Sequence, residues 1–322
     1  MSSFTFTETV RVAHTGVGRG ADLLRAVAAL PQVEVVAVCD GDAEALRAAA
    51  RLAPSAATHH RFSEVLARDD VEAVVVTTEP GRRGAHVEAA LEAGCHVLAA
   101  SPLAQAPAQA AALVAAAAER ERCLMADHRL RYHPAVQDVE ARLARGELGA
   151  LRLVRAEHAG HRPAEALLAD DLAVALALAP PPLAVAAWGS ADEELAVTVA
   201  CADGVLLQLS ASRLEVRPSQ RLHLSGTRAT AVVDRRRPGA PVRLYRAADG
   251  APDSARRPID RSTPHVAPGE PVRDVAQELV QAVQQHRAPR TDGAADLAVV
   301  RVLDGVRRSL AGGNGRVELG AA

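Results

Sequence analysis

Five continuous apolar runs, each followed by an Ala/Leu-rich stretch, constrain the first half of this chain more than any other feature. VRVAH (10–14), VEVVAVC (33–39), VEAVVVTT (71–78), CHVLAA (95–100) and RCLMA (122–126) lack polar alternation, the pattern of strands covered on both faces. Helical stretches near 20–30, 42–52, 84–93 and 106–120 lie between them, so each strand has a helix to return the chain in parallel. A doubly wound parallel sheet follows. After about residue 150 the grammar changes: LRLVRAEH (151–158), LAVTVAC (195–201), VLLQLSASR (205–213), RLHLSG (221–226) and ATAVVD (229–234) succeed one another across short turns such as Ala202-Asp203-Gly204. That succession predicts an antiparallel sheet. Two late helices, 271–287 and 293–310, follow a Pro/Gly-rich loop at 250–270. The 322 residues therefore read as an α/β chain of two domains: a parallel-sheet domain over 1–127, and an α+β domain over 128–322 with an open, mainly antiparallel sheet. The closing helices, 271–310, are expected to pack back on the first domain.

Aromatics make up only 2% of the chain, so its core must be built from Ala, Val and Leu. No lysine occurs, and every one of the 37 basic residues is arginine. A Schiff base, a lysine general base and a lysine phosphate anchor are all excluded. A formal charge of -2 and a pI near 6.6 supply no field for nucleic acid or an anionic membrane surface. Arg235-Arg236-Arg237 before Pro238-Gly239 reads as a solvated charged turn. Cys39, Cys95, Cys123 and Cys201 are isolated, without a C-x-x-C pair, as expected of reduced thiols in a cytoplasmic protein. MSSFTFTETV lacks the regions of a signal peptide, and Asp170-Asp171 with Pro180-Pro181-Pro182 break the apolar segment 164–188, so no membrane span is expected.

His14-Thr15-Gly16-Val17-Gly18-Arg19-Gly20 follows the first run and opens a helix. Glycines there let the backbone turn tightly and approach a pyrophosphate, which the free N–H groups of the helix start then stabilise. The second run ends at Cys39-Asp40, and Asp40 lies 22 residues after Gly18, where an acid that binds a ribose 2′-OH belongs. The spacing is G-x-G-x-G rather than G-x-G-x-x-G. A tight turn beside a solvated Asp40 is the alternative.

The order of VVAVCDGD (35–42), EVLARDDVEAVVVTTEP (64–80), EAGCHVLAASPLA (92–104), RLRYHPAV (129–136), RGELGALRLVRAEH (145–158), the SGT turn at 225–227 and GRVEL (315–319) resembles the Gfo/Idh/MocA family of NAD(P)-dependent oxidoreductases over nearly the whole chain. The resemblance implies an N-terminal Rossmann domain, a C-terminal open sheet, a substrate cleft between them, and chemistry on sugars, polyols and related small molecules. It also implies pairing through the outer face of the sheet. Where the family carries Glu-Lys-Pro, this chain has Ala100-Ser101-Pro102. The family's Asp…His pair, laid ungapped onto 164–182, falls on Ala166 and Asp170, and its histidine after the fourth strand falls on Arg83.

The cofactor set expected on these grounds is Gly16, Gly18, Gly20, Asp40, Thr78, Pro80, Ser101 and Pro102, holding NAD in preference to NADP. The catalytic set is His128, Tyr132 and Asp170, drawn from Asp127, His128, Arg131, Tyr132 and His133, from His158 and His161, and from Asp170 and Asp171. His128 or Tyr132 could move a proton; a polar helix entrance is the plain reading of HRLRYH. Adjacent acids cannot both face a core, so one of Asp170 and Asp171 is expected to point at the cleft. His158 and His161 lack metal-ligand spacing, and no metal is expected. His59-His60 reads as a surface loop. In Glu79-Pro80-Gly81-Arg82-Arg83, two arginines at a helix start are answered by Glu79, or by a bound phosphate or carboxylate. The expected partners are a small-molecule substrate and a second copy of the chain, with no nucleic acid and no membrane. A catalytically inactive regulator or partner protein, and non-redox elimination or cyclisation in the same cleft, are the rival functions.

Overall fold

The computed structural model describes residues 9–236, 242–247 and 259–320. The leader reading of residues 1–8, the Arg237-Pro238-Gly239 part of the charged turn and the 250–258 part of the Pro/Gly-rich loop lie outside them. The first unit runs β1 (Val10–Thr15), α1 (Ala21–Ala28), β2 (Val33–Cys39), α2 (Ala43–Leu52), β3 (Ala57–His59), α3 (Phe62–Leu66), β4 (Ala73–Val76), α4 (Pro80–Glu92), β5 (His96–Ala100), α5 (Pro107–Glu119) and β6 (Leu124–Asp127). Its six strands lie in the order β3-β2-β1-β4-β5-β6, all parallel, which is the Rossmann order with a switch point between β1 and β4. Val74, Val97 and Leu98 are fully buried, as runs without alternation require. Asp42 starts α2 by accepting from Glu44 N at 2.8 Å, and Pro80 and Pro107 open α4 and α5 at the position where a missing N–H costs nothing.

The expected surface loop at His59-His60 is corrected for His59, which ends β3 and pairs with Cys39 at the sheet edge; His60 is exposed in the bend that follows. A three-residue edge strand has no second covered face, so it leaves no apolar run to read.

The second unit carries α6 (Pro134–Ala144), β7 (Leu151–Ala159), α7 (Ala164–Leu178), β8 (Pro182–Ser190), β9 (Glu194–Cys201), β10 (Leu206–Ser212), β11 (Ser219–Gly226), β12 (Ala229–Asp234), β13 (Arg243–Ala247) and β14 (Ile259–Ser262); then come α8 (Pro271–Gln284), α9 (Gly293–Ala311) and β15 (Val317–Glu318). The nine described strands are ordered β14-β13-β12-β11-β7-β10-β9-β8-β15. Among the described residues of this sheet only β7 and β10 pair in parallel; the other described pairings are antiparallel. The apolar helix α7 packs on β7, β9 and β10, and Leu183, Trp188 and Leu206 remain exposed on β8 and β10.

Compact grouping puts the chain up to Arg129 together with Val272–Val300, and Leu130–Pro271 together with Arg301 onward. The expected second domain, 128–322, thus loses most of α8 and the first part of α9 to the Rossmann unit. Burial explains the return: Val300 shares a core cluster with Val97, Leu113 and Leu124. No described helix is long and apolar enough to cross a membrane.

Candidate functional site

β1 ends at Thr15, and Gly16 turns the chain at φ +80°. A Cβ on Gly16 would stand 2.5 Å from Thr78 N, so only glycine lets the β1 turn lie against the β4 turn. Gly20 is equally hemmed in, because a Cβ there would meet Thr77 Oγ1 at 2.2 Å. Thr77 Oγ1 donates once, to Thr15 O or Gly16 O, and lies 2.8 Å from His14 Nε2. The imidazole is therefore the donor in that contact. Burial drives the His14 pKa down to about 3, with Asp22 and Asp40 pulling weakly the other way, so the ring stays neutral and serves the turn.

Asp40 stands just past β2. Its Oδ2 accepts from Gly18 N at 3.0 Å and its Oδ1 from Asp42 N at 3.0 Å, which fixes the carboxylate while leaving further lone pairs for ligand hydroxyls. Gly16, Gly18, Asp40 and Thr78 line one cavity of about 610 Å³, together with Arg19, His60, Arg61 and Arg82. Gly20, Pro80, Ser101 and Pro102 are not among its lining residues. The backbone cradle, the fixed acid and the start of α1 fit an adenosine diphosphate moiety. Asp22 in the first turn of α1 puts a negative charge where an anion would lie, and Arg129 answers it at 2.5 Å. Burial raises the Asp22 pKa, but the charge and bonds of Arg129 outweigh it and the net shift is down. Arg129 also bonds Asp127.

The arginines after β4 divide. Arg82 pairs with Glu79 at 2.9 Å, as one of the sequence readings has it. Arg83 is buried and donates to Thr78 O at 2.9 Å and Pro102 O at 2.7 Å, with its pKa lowered to about 10 by burial. It ties the β4 and β5 turns together, so the expected phosphate or carboxylate on this pair is corrected to backbone carbonyls.

Ser101 follows β5 and donates from Oγ to Asp296 Oδ1 at 2.6 Å. Leu103 N donates to Oδ2 of the same carboxylate at 2.7 Å. His128 Nε2 approaches Oδ1 to 3.0 Å, outside the angular range of a hydrogen bond. Asp296 is 0% and His128 2% exposed at the side chain, so the expected exposed proton mover after β6 is instead turned inward, while its backbone N–H donates to Ala126 O at 2.8 Å. Asp296 is the functional candidate that sequence reasoning misses. One acid in the first turn of α9 reads as a surface charge favoured by the helix dipole, and nothing in TDGAADL marks it as buried.

In the second unit, Tyr132 is buried in the short 3-10 turn Arg129–Tyr132, and His133 starts α6 by accepting from Ala135 N at 3.2 Å. Of the two adjacent acids in α7, Asp171 points inward and Asp170 pairs with Arg162 at the rim. The expected role of Asp170 as a free acid is thereby corrected to that of an ion-pair partner. Asp171 Oδ1 lies 2.5 Å from Arg235 Nη2, with both side chains at 1% exposure or less, so the expected solvated turn is corrected at Arg235 to a buried ion pair. Gln220 Nε2 and His158 Nε2 are 2.8 Å apart, so the amide donates and the imidazole carries its proton on Nδ1, 3.8 Å from Asp171 Oδ1. Burial lowers the His158 pKa, against the pull of Asp171. These groups border a polar cavity of about 450 Å³ that also takes in His161 and Arg236.

Residues 10–128 match the oxidoreductase family with an NAD-binding Rossmann fold. Over 155 residues the chain is 36% identical to dTDP-3,4-didehydro-2,6-dideoxy-alpha-D-glucose 3-reductase of Streptomyces violaceoruber, covering 47% of this chain and 45% of that one. Inositol 2-dehydrogenase of Gluconacetobacter diazotrophicus is 34% identical over 158 residues, 48% of this chain and 47% of its own. The chain thus matches about half the length of these relatives. Among solved structures, UDP-N-acetylglucosamine 3-dehydrogenase GnnA from Acidithiobacillus ferrooxidans is similar over 94% of this chain and 97% of its own, with a TM-score of 0.82 and 25% identity.

Proposed function

We propose that the chain, similar to the Gfo/Idh/MocA family of oxidoreductases, binds NAD(H) and oxidises or reduces a small sugar- or polyol-like molecule with an acid–base set of its own. The observation that carries the reading is Asp40, a carboxylate fixed by Gly18 N and Asp42 N on the wall of the cavity cradled by Gly16 and Gly18. An acceptor there favours a ribose 2′-OH and repels a 2′-phosphate, so NAD is preferred over NADP. The nicotinamide, when bound, supplies hydride transfer; the chain's own residues bind, orient and manage the proton. Relatives named for sugar and inositol substrates support the substrate class.

Calorimetry with NADH and NADPH tests this. NADH should bind at least about tenfold more tightly, a difference of about 1.4 kcal/mol, and Asp40→Ala should remove the preference; equal affinities in the unaltered chain would take Asp40 out of the site. A second reading, nucleotide binding without turnover in a regulator or partner protein, is favoured by the burial of His128 and by the pairing of Asp170 with Arg162. NADH formation from a panel of sugars and polyols decides between the two. We further place the protein in the cytoplasm, on its four free thiols, as a homo-oligomer assembled through the sheet surface that exposes Trp188 and Leu206. Light scattering showing a monomer at micromolar concentration would refute the assembly.

A further inference from the structure

We infer that Ser101, Asp296 and His128 form a proton relay, with Ser101 Oγ as its outer end taking the hydroxyl proton of the alcohol being oxidised. The inference rests on the oxidoreductase reading above. Ser101 is the one member of the three that retains exposure, and it stands where the carboxyl end of β5 meets the ligand side of a parallel sheet. A serine hydroxyl alone cannot take up a proton at neutral pH; it needs a base within hydrogen-bond reach and a third group to orient that base. Both are present. Asp296 Oδ1 accepts the Ser101 proton at 2.6 Å, and Leu103 N holds the other carboxylate oxygen at 2.7 Å.

His128 closes the chain. Its Nε2 lies 3.0 Å from Asp296 Oδ1 with both side chains out of water, and at that separation two bare lone pairs would repel in a low-dielectric interior. Nε2 therefore carries the ring proton and faces the carboxylate, at an angle outside that of a formed hydrogen bond. The hydroxyl of Ser101 is committed as a donor to Asp296, so its own lone pairs face outward as acceptors.

The step balances as follows. In the alcohol, the C–H bond breaks and its electron pair leaves as hydride to the nicotinamide of NAD⁺, the oxidant of the parent reading. The O–H bond breaks as its proton passes to Ser101 Oγ, and the original Ser101 proton passes to Asp296 Oδ1. The product is a carbonyl, and the extra proton rests on the Asp296–His128 pair until it returns through Ser101 to water. Reduction runs the same path backward.

The test reads the proton path without requiring a substrate. In the full chain with ¹⁵N-labelled histidine, the Asp296–His128 proton is identified by its loss in His128→Gln, and its exchange with water is measured by saturation transfer. Exchange should be at least about tenfold slower in Ser101→Ala than in the unaltered chain, and Ser101→Thr, which keeps the hydroxyl, should restore it. Equal rates in all three would overturn the relay, leaving a purely structural cluster. On any sugar or polyol that the unaltered chain oxidises, Ser101→Ala should lower turnover about 10²-fold; full turnover by that variant would also overturn it. NADH binding, followed by fluorescence in the same samples, reports the parent reading separately. Absent NADH binding with Ser101-dependent exchange would sink the oxidoreductase reading and retain the proton path.

Discussion

Asp171 and Arg235 form a salt bridge shut away from water, and separating its two halves should show what such a pair does in this fold. The side chains are 1% and 0% exposed with 2.5 Å between Oδ1 and Nη2. Arg235 Nε and Nη1 and Asp171 Oδ2 already lack partners, so the pair has one good contact against the desolvation of two ions. Asp171→Ala would leave a buried guanidinium with none of its nitrogens answered by a carboxylate. Breaking such a pair from one side costs about 3–5 kcal/mol. Replacing both partners with apolar residues, Asp171→Leu with Arg235→Met, removes the desolvation cost along with the attraction and should land within about 1 kcal/mol of the parent, or above it. Trp188, the single tryptophan, lies in β8 of the same unit, so its fluorescence during urea unfolding reports the right region. With a slope of about 2 kcal/mol per molar, the single variant should lose roughly 1.5–2.5 M in midpoint. A loss below about 0.5 M for the single variant, or a double variant that loses the sum of the two singles, would refute the argument.

The neutral, buried His14 makes stability depend on pH. Its folded pKa of about 3 lies below the ordinary imidazole value of 6.5, so the unfolded chain binds a proton that the folded one refuses. Stability is therefore complete above pH 6.5 and falls by up to about 1.4 kcal/mol for each pH unit below it; His14→Gln should flatten that limb between pH 6 and 4 in urea midpoints. Gly16→Ala, with its Cβ 2.5 Å from Thr78 N at φ +80°, should weaken NADH binding at least about tenfold while circular dichroism stays that of the parent. Unchanged affinity would separate this turn from the cofactor. Ser101→Lys should give no gain in NADH formation from polyols, because the new ammonium would pair with Asp296 and remove the hydroxyl together; robust turnover by that variant would show that a lysine was the one missing group.

What could be read from the residues alone divides along a physical line. The parallel sheet, the Gly16 turn and Asp40 were legible because they depend on neighbours in sequence: a continuous apolar run, a glycine just after it, an acid at the end of the next run. The order of the strands of the second unit was not, since an alternating strand states which face is buried and not which strand lies beside it; β7 pairs with β10 in parallel, across two intervening strands. Asp170 and Asp171 show the same limit at the scale of one residue. Adjacency in a helix requires that they face different ways, but α7 is so uniformly apolar that its pattern does not say which of them turns inward.

Asp296 carries the point furthest. Ser101 and Asp296 are 195 residues apart in sequence, and each is unremarkable where it stands: a serine before a proline, and an acid in the first turn of a helix. Reading along the chain, a hydroxyl at the end of β5 with no basic residue near it looks unable to take up a proton. The return of α9 to the Rossmann sheet supplies the carboxylate from the far end of the sequence, and His128 reaches the same oxygen from the end of β6. The absence of lysine removes one kind of proton acceptor from the whole chain, but it leaves this one open, since a buried carboxylate shared by a hydroxyl, an amide and an imidazole is an acid–base group that only the folded chain assembles.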